Sequence, residues 1–536
     1  DEASLVQFGL GSRQRRIRAS VTGATSLIGA ELAGNKAAAK ALLEEAGLPV
    51  PTGRVARSMD EALLAARQLR WPVVVKPLSG NHGRGVTTGI ADADALKAAF
   101  ELASRSSRAV IVERELPGND HRILVVDGKV VAAAERIPAQ VIGDGESPVA
   151  ALIEAVNADP RRGQGHENVL TRIKVDDAVR ALLASQQLVL KSVPKKGRVV
   201  RLRGTANLST GGTAVDRTDA IHPENAAIAI QAAAIIGLDV AGIDMLAPDI
   251  SQSVRETGGG IVEVNAAPGL RMHIEPSEGT PRDVARPIIA SLFPPGRRSR
   301  IPIFAITGTN GKSTTARMVA RILCEAGYRV GLTSTSGVYI DGRLQVAGDS
   351  SGPKSARMVL RNPTVDTAVL EAARGGILRE GLGFDHCDVG AVLNVTADHL
   401  GLKGIDTVED LARVKSIVAQ SVGRRGHAVL NADDPLTCDM ARRAGGRIVW
   451  FSARPNAAAT EPIATHLASG GMAVVREDGD IVLYKNGRTV VASIAELPST
   501  LEGAAEFNVA NALAATAMSA AYGIKPETIA LALRAF

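Results

Sequence analysis

The chain has 536 residues, which is too long for one ordinary core and predicts about two to four domains. A hydrophobic share of 45% with a charged share of 22% excludes a disordered protein, and no apolar run approaches the roughly 18 residues of a membrane span. Lysine and arginine exceed aspartate and glutamate by 62 − 56 = 6 and are spread along the chain, which argues against a nucleic-acid binder and suits nucleotide-sized anions.

Cysteine usage and the N-terminus bear on the compartment. Cys324, Cys387 and Cys438 stand alone and form no Cys-x-x-Cys pair, which argues against a disulfide framework or a zinc site. The N-terminus has no charged-then-apolar signal layout, so we expect a cytoplasmic protein. The chain begins at Asp1 without Met and ends at Phe536 in a helical pattern, so we expect it to be part of a longer protein.

The elements of the first part alternate between helix and strand. Aromatic residues are only 3% of the chain and glycines number 54, a mix that favours an α/β architecture with many tight turns. In chain order the patterns predict an amphipathic helix over 35–46, strands over 71–76, 110–113 and 122–126, a hairpin with an Asp-Gly turn over 125–131, and a strand over 261–265.

Residues 293–300 contain two prolines, a glycine and three arginines, which is typical of a linker. We therefore predict one domain over 1–296 and another over 299–536. The second begins with a strand over 301–306, a glycine-rich loop and a helix over about 313–326. Helices and strands then alternate, which predicts a mostly parallel sheet with crossover connections.

The strongest motif is the run Thr307-Gly308-Thr309-Asn310-Gly311-Lys312-Ser313-Thr314. A glycine loop between a strand and a helix offers backbone N–H groups and the positive helix end to a phosphate. Lys312 would reach the β- and γ-phosphates, and Ser313 or Thr314 would contact Mg²⁺. Ile306 replaces the first glycine of the strict pattern, but a plain turn would need neither the lysine nor the hydroxyls. We therefore predict that this run binds ATP.

Polar residues further along the chain are candidate partners of this loop. Glu371 ends an apolar run, where a Mg²⁺ ligand would lie, and a strand pattern from Val392 ends in Asp398 and His399. A histidine in such a place is more often structural than a metal ligand. Asparagines such as Asn431 also serve as ordinary helix caps, so none of these signals is strong alone.

Their order, however, resembles the central domain of Mur-type ligases and folylpolyglutamate synthetases over about 299–536. The resemblance implies an ATP site in which Ser313, Glu371 and His399 hold Mg²⁺. It implies catalytic roles for Lys312 and Lys415, the second matching a lysine that is carbamylated in many members. The third domain of those ligases, which binds the incoming amino acid, has no counterpart in this sequence.

The same resemblance implies that adenine lies near Asn431, Asn508 and Asn511. Phe507 stands where relatives have a histidine, so that one contact is not carried over.

Basic residues and glycines of the first part form another candidate phosphate site. Lys36, and Lys76 at a strand end, precede a glycine loop that includes His82, Gly83, Arg84 and Gly85. Such a loop can close over phosphates while the lysines neutralise them, although a glycine loop alone is equally consistent with a simple turn.

Three oxygen-bearing side chains strengthen that interpretation. Asp244 lies in an apolar run, and Glu263 and Asn265 are two residues apart on one predicted strand. A period of two points both side chains to the same face. Opposite two lysines, these oxygens suit Mg²⁺ that bridges ATP phosphates.

This arrangement resembles the ATP-grasp superfamily, including D-alanine–D-alanine ligase and bacterial glutathione synthetase. The resemblance implies that Asp244, Glu263 and Asn265 bind metal. It also implies that Lys36 and Lys76 bind phosphate, the second as a catalytic residue, and that Glu113 lies beside adenine. The implied substrate-binding residues are Asn207, Gly211, Gly212, Arg271 and His273, with Arg203 as a displaced catalytic arginine.

The two halves together resemble the cyanophycin synthetase family across essentially all 536 residues, with matching segments at 81–86, 117–122, 205–212, 222–225, 263–269 and 352–357. That family implies a ligase that uses ATP and Mg²⁺ and works through acyl phosphates. Aspartate would extend a poly-aspartate backbone in the ATP-grasp site, and arginine would be joined to each β-carboxylate in the Mur-type site. The implied partners are aspartate, arginine and a cyanophycin primer, with a homodimer or homotetramer expected.

Three alternatives stay open. A polymerase of β-aspartyl-arginine dipeptides would be expected to have a degraded second site, whereas Lys312, Glu371 and His399 are all present. A fusion that makes another peptide differs only in pocket shape, which spacing does not fix. A regulatory nucleotide-binding protein without turnover would have no reason to keep all these lysines and acids.

Overall fold

The computed structural model describes residues 4–78, 85–164, 168–397, 400–401 and 404–536. The chain divides into two units, one running to Gln7 and again from Arg15 to Arg297, the other comprising Phe8–Gln14 and Arg298–Phe536. The division at 297–298 falls within the linker-like segment 293–300. Among the described helices, none combines the length and the apolarity that crossing a membrane requires.

The strands described up to residue 297 are β1 (Leu5–Phe8), β2 (Arg15–Arg18), β3 (Val21–Thr22), β4 (Gly53–Ala56), β5 (Val73–Pro77), β6 (Thr87–Ile90), β7 (Val110–Arg114), β8 (Asn119–Val126), β9 (Lys129–Ile137), β10 (Gln140–Ile142), β11 (Arg162–Gly163), β12 (Leu170–Thr171), β13 (Val199–Arg201), β14 (Thr213–Asp216), β15 (Val240–Ala247) and β16 (Gly260–Asn265). The helices are α1 (Leu27–Gly34), α2 (Lys36–Glu45), α3 (Met59–Leu69), α4 (Ala93–Ser104), α5 (Val149–Asn157), α6 (Asp177–Ser185), α7 (Pro223–Ile236), α8 (Val254–Thr257), α9 (Arg271–Ile274) and α10 (Ala285–Leu292).

A four-stranded antiparallel sheet in the order β4-β7-β5-β6 packs against α3 and α4. Val73 and Val75 lie in the core that this sheet shares with the two helices. Because side chains alternate along a strand, Lys76 lies on the opposite face of the sheet from that core. The predicted strands over 71–76 and 110–113 correspond to β5 and β7.

A five-stranded antiparallel sheet in the order β14-β9-β8-β15-β16 packs against α2 and α7. Ile243 and Met245 of β15 lie in that helix-covered core, so Asp244 between them faces the other side. The predicted hairpin is present, since Val126 pairs with Lys129 across Asp127 and Gly128, whose φ angles are +48° and +70°. Two consecutive positive φ angles are the signature of a type I′ turn.

The strands described in the second unit are β17 (Ile303–Thr307), β18 (Val330–Ser334), β19 (Gly337–Ile340), β20 (Arg343–Ala347), β21 (Thr367–Glu371), β22 (Cys387–Val392), β23 (Val422–Asn431), β24 (Arg447–Ser452), β25 (Met472–Glu477), β26 (Asp480–Tyr484) and β27 (Arg488–Ser493). Its helices are α11 (Lys312–Glu325), α12 (Pro353–Arg361), α13 (Arg374–Glu380), α14 (Val408–Gln420), α15 (Pro435–Met440), α16 (Ile463–Ala468), α17 (Glu506–Tyr522) and α18 (Pro526–Arg534).

These strands form one sheet in the order β20-β19-β18-β21-β17-β22-β23-β24-β25-β26-β27. The pairings from β18 to β25 are parallel, as predicted, and antiparallel hairpins extend both edges. Phe304 and Ile306 face a core with α11 and α17, whereas Ile303 and Ala305 face α12 and α14. Helices therefore cover both faces of the parallel part.

One predicted strand is wrong in its extent. The pattern from Val392 to Asp398 suggested a strand that ends in the Asp-His pair, but β22 ends at Val392. Beyond it, Leu393 N donates to Thr307 O at 2.9 Å and Thr309 N donates to Asn394 O at 3.0 Å. Leu393 thus still bonds to the last residue of β17, whereas Asn394 bonds to the loop that follows β17.

Replacement of Phe304 tests the core of the second unit. Phe304 is fully buried, and its ring lies 5.2 Å from that of Tyr522, centroid to centroid. Phe304→Ala should lower the free energy of unfolding by about 3–5 kcal/mol in denaturant titrations, because it leaves a cavity between sheet and helix. Phe507→Ala, at a position 71% exposed, is the matched control and should change it by less than about 0.5 kcal/mol. Equal effects would contradict this packing.

Candidate nucleotide-binding sites

The three predicted metal ligands of the first unit lie together on two neighbouring strands. Asp244 on β15 is directly opposite Glu263 on β16, and Asn265 is opposite Gly242, whose carbonyl accepts from Asn265 Nδ2 at 3.2 Å. Since directly paired residues and residues two apart share a face, all three side chains face away from the helix-covered core. The structure thus brings together the oxygens that the sequence singled out.

Two arginines that sequence reasoning missed hold Asp244. Arg122 on β8 pairs with Asp244 across the sheet and donates Nη2 to Oδ2 at 3.3 Å, while Arg136 Nη2 lies 3.0 Å from the same oxygen. Arg136 also contacts Asp120 at 2.5 Å. Burial raises the pKa of Asp244, but the two guanidinium groups outweigh burial and keep that pKa below its ordinary value. Asp244 is therefore a carboxylate near neutral pH.

The lysines of this unit contact two acidic residues. Lys36 Nζ is 3.5 Å from Glu263 Oε1, and Lys76 Nζ is 2.6 Å from Glu113 Oε2. Lys40, which the sequence analysis did not select, contacts the other oxygen of Glu113. Its signal was its position one helical turn after Lys36 on α2, where side chains lie on the same face.

Two predicted substrate residues, Gly211 and Arg271, and the predicted catalytic Arg203 lie against the segment 168–176. Arg271 Nη1 donates to Asn168 O at 2.7 Å, and Arg203 Nη2 contacts Asp176 Oδ2 at 2.8 Å. Gly211, with φ of +99°, lies so close to Ile173 that a Cβ at Gly211 would be 2.6 Å from Ile173 Cγ1. The segments that contain these three residues therefore pack against residues 168–176, and we call them the loop cluster.

Within that loop cluster, Asn207 O accepts from the backbone of Gly212 at 3.1 Å, which closes the turn. His273 is buried, and neither ring nitrogen has a hydrogen-bond partner among the described residues. Burial and the nearby Arg122 charge lower the pKa of His273 to about 4, so its ring is neutral near neutral pH. Its nitrogens fit a polar ligand.

Part of the predicted phosphate loop of this unit is not described. His82, Gly83 and Arg84 lie outside the described residues, and the description resumes at Gly85, whose φ is +72°.

In the second unit the predicted phosphate loop connects β17 to α11. Gly311 caps the helix with φ of +82°, and Lys312, the first helical residue, donates Nζ to Thr309 O at 2.9 Å. Asn394, which the sequence analysis did not select, fixes the loop by accepting from Asn310 N at 2.8 Å. Lys415 on α14 is buried and donates to Gly308 O at 2.7 Å. The loop lies at a helix N-terminus, as phosphate binding requires.

Glu371, at the end of β21, is next to the helix start. Its Oε2 accepts from Ser313 Oγ at 2.8 Å and from Thr335 N at 3.2 Å. Its Oε1 is buried and has no partner among the described residues, and burial raises the pKa of this carboxyl group. A hydroxyl and an unpartnered carboxylate oxygen fit a divalent cation. Asp398 and His399, the other predicted ligand region, lie outside the described residues.

The described residues contain no group of three or more His, Cys, Asp and Glu side chains arranged around a possible metal. Asn265 and Ser313 are oxygen donors of other types, so both predicted ligand sets stay predictions.

The three asparagines predicted near adenine form hydrogen bonds close to the glycine loop of the second unit. Asn511 Oδ1 lies 3.2 Å from Thr315 Oγ1, and a Cβ at Gly311 would be 2.2 Å from that same amide oxygen. Asn508 donates to Ser499 O at 2.7 Å, and Asn431 donates to Leu393 O at 2.8 Å. Helix α17 therefore begins beside the phosphate loop, and contact with adenine stays a prediction.

Comparisons with known proteins show the domain families of the two units. Residues 306–519 match the family model of the Mur ligase middle domain. Residues 35–192 match the carbamoyl-phosphate synthase L chain ATP-binding domain, and residues 171–292 match the RimK-like ATP-grasp domain. The chain thus combines an ATP-grasp domain with a Mur ligase middle domain, two families that use ATP.

Similarity to cyanophycin synthetases covers 99% of the chain. It is 51% identical over 537 residues to the cyanophycin synthetase of Crocosphaera subtropica and 50% identical to that of Geminocystis herdmanii. The chain spans 61% of the length of each of these relatives. It is also 34% identical over 279 residues, 52% of the chain and 36% of the relative, to the glutathione biosynthesis bifunctional protein GshAB of Clostridium perfringens. The family resemblance predicted from the motifs is confirmed.

The raised pKa of Glu371 predicts how its replacement changes stability with pH. As pH rises above the ordinary value of 4.5, the unfolded chain loses this proton before the folded protein does, so wild-type stability falls. Glu371→Gln removes that ionisation. The variant should melt at a higher temperature than wild type at about pH 8, and the difference should shrink towards about pH 4.

Circular dichroism melting across this range checks the prediction. Exposed Glu502 provides the matched control, since Glu502→Gln should leave the pH profile of the melting temperature unchanged. A Glu371→Gln variant that is less stable at high pH than at low pH, relative to wild type, would contradict the burial argument.

Proposed function

We propose that the protein synthesises cyanophycin with two ATP-dependent ligase sites. Aspartate is added to a poly-aspartate backbone at the ATP-grasp site, and arginine is joined to each aspartate β-carboxylate at the Mur-type site. The observation that carries this proposal is the presence of two phosphate-binding arrangements in one chain that is similar over 99% of its length to cyanophycin synthetases. Each arrangement combines lysines with acidic or amide side chains on or beside neighbouring strands.

Both sites would perform the same reaction. A carboxylate oxygen attacks the γ-phosphorus of ATP, the bond to the bridging oxygen breaks, and ADP leaves. The amine nitrogen of the incoming amino acid then attacks the acyl carbon, loses a proton and releases phosphate. Mg²⁺, when bound, would neutralise the phosphate oxygens, whereas the protein has to exclude water so that the amine arrives first.

At the first site, Lys36 and Lys76 would neutralise phosphate charge, and Asp244, Glu263 and Asn265 would hold Mg²⁺. Their shared face supplies the oxygen donors that this cation prefers. The loop cluster with Arg271 and neutral His273 would bind the aspartate carboxylate, because a guanidinium forms strong paired bonds with carboxylates.

At the second site, Lys312 would contact the γ-phosphate while Ser313 and Glu371 hold Mg²⁺. The unpartnered Oε1 of Glu371 supports this role. Lys415 would fix the loop through Gly308 O, which keeps the backbone donors directed at phosphate.

Replacement of Lys312 separates the two reactions. Lys312→Ala should lower arginine addition by at least about 100-fold, because a charge that stabilises the transition state is lost, yet spare aspartate addition to a primer that already bears arginine. Mass spectrometry of products from Asp, Arg, ATP, Mg²⁺ and primer measures both. Lys525→Ala, at an exposed lysine of the same unit, is the control. Arginine addition that survives Lys312→Ala would contradict the catalytic role of the second site and leave it as a scaffold.

Replacement of Arg271 tests the aspartate pocket. Arg271→Ala should raise the KM for aspartate by about 10- to 100-fold, the effect of losing one charged hydrogen bond, while the KM for ATP at the first site stays within about twofold. Arg286, whose side chain is 86% exposed, offers the control Arg286→Ala with both constants unchanged. Initial-rate phosphate release measures both constants. Unchanged aspartate kinetics in Arg271→Ala would refute the assignment.

A further inference from the structure

Two lysines form ion pairs with Glu113, one at each carboxylate oxygen. Lys40 from α2 contacts Oε1, and Lys76 from β5 lies 2.6 Å from Oε2. The side chains of Lys40, Glu113 and Lys76 are 12%, 3% and 6% exposed, so bulk water contributes little to their solvation. Two positive charges and one negative charge leave this pocket with an excess that favours an anion.

The position of Glu113 is built into the sheet. Gly53 on β4 pairs with Glu113, and a Cβ at Gly53 would lie 2.7 Å from Glu113 Cγ. Any larger residue at Gly53 would therefore displace the carboxylate. The lack of a side chain there leaves the space that Glu113 occupies between the two lysines.

The two lysines differ in what surrounds them. Lys76 is at the end of β5, four residues before the glycine Gly80 that opens the predicted phosphate loop. Lys40 lies one turn after Lys36 on α2 and lines the same cleft as Lys36, Ile261 and Glu263. Lys76 is thus the lysine closer in sequence to the predicted loop, whereas Lys40 contacts Glu113 from α2.

We propose that Lys40 is a positioning residue of the first nucleotide site, which keeps Glu113 neutralised so that Lys76 can leave Glu113 and bind phosphate. The proposal rests on the proposed function of this site. A buried carboxylate that loses its only partner is strongly destabilised, so without Lys40 the movement of Lys76 would strand the charge of Glu113. With Lys40 in contact with Glu113, Lys76 can exchange the Glu113 carboxylate for a phosphate group of the nucleotide.

The charged groups around Lys40 support a pH test. They are Glu113, Lys76 and Glu44, with Lys36 and Glu263 further along the cleft. Burial lowers the pKa of Lys40 to about 8, although Glu113 opposes the change. Above that pH, Lys40 loses its proton and Glu113 should retain Lys76, so nucleotide affinity should fall as pH rises. Arginine stays charged there, and Lys40→Arg should remove this dependence.

The decisive experiment measures binding of a non-hydrolysable ATP analogue with Mg²⁺ by calorimetry, in a Lys312→Ala background that silences the second site. Lys40→Met should weaken binding at least about 10-fold, and Lys40→Arg should restore it to within about threefold. In a Glu113→Gln background the loss of affinity caused by Lys40→Met should fall below about threefold, because residue 113 then has no negative charge that needs a partner. Exposed Lys97 on α4 gives the control Lys97→Met, with affinity unchanged.

The outcomes are distinct. Two results would overturn the proposed role of Lys40 without affecting the proposed function of the site. One is full nucleotide affinity in Lys40→Met, and the other is an equal loss of affinity from Lys40→Met in the parent and in the Glu113→Gln background. No binding in the Lys312→Ala parent overturns both this role and the proposed function of the first site. Circular dichroism monitors folding. If Lys40→Met fails to fold, the pH profile of nucleotide affinity in Lys40→Arg is the test, and a profile that still falls with rising pH as in the parent would overturn the role of Lys40.

Discussion

The carboxylate of Asp244 lies 8% exposed, with Arg122 and Arg136 both in contact with it. In water each of these charges would be solvated, but at this depth the only compensation is another charge or a directed hydrogen bond. The same constraint acts on Glu113 between its two lysines. These two acidic side chains of the first unit are therefore paired with cations, and a ligand that binds to Asp244 or Glu113 has to compete with partners that are already present.

The second unit meets this constraint differently. Among the described residues, Glu371 is compensated by a hydroxyl and a backbone N–H on one oxygen only, and its pKa is raised by burial. Lys312 and Lys415 each donate to a backbone carbonyl of the loop. A cation could join Glu371 without displacing an arginine or a lysine from it. The two units thus compensate their buried acidic side chains in different ways, one by pairing them with cations and the other by leaving one oxygen of Glu371 without a described partner.

Sequence patterns predicted what depends on local periodicity. Glu263 and Asn265 share a face because a strand has a period of two. Ser313 lies in the first turn of α11 because that helix begins at Lys312, directly after the glycine loop. Arg122, Arg136 and Lys40 were missed, since their roles arise from contacts across strands and between a helix and a strand far apart in sequence. Asn394 was missed for a related reason. The apolar run after Val392 suggested that the strand continued, whereas β22 ends there and Asn394 bonds to the loop after β17.

Sheet geometry explains how the two units bring their candidate site residues together in different ways. In the antiparallel sheet of the first unit, Arg122, Asp244 and Glu263 form a row because register places them side by side on three neighbouring strands. In the parallel sheet of the second unit, β17, β21 and β22 all run in the same direction, so residues that follow their carboxyl ends meet at one edge. A one-residue shift in β15 would turn Asp244 towards the helices and destroy the row. The second site depends instead on where strands end, so the bonds between Asn394 and the loop after β17 are part of the site itself.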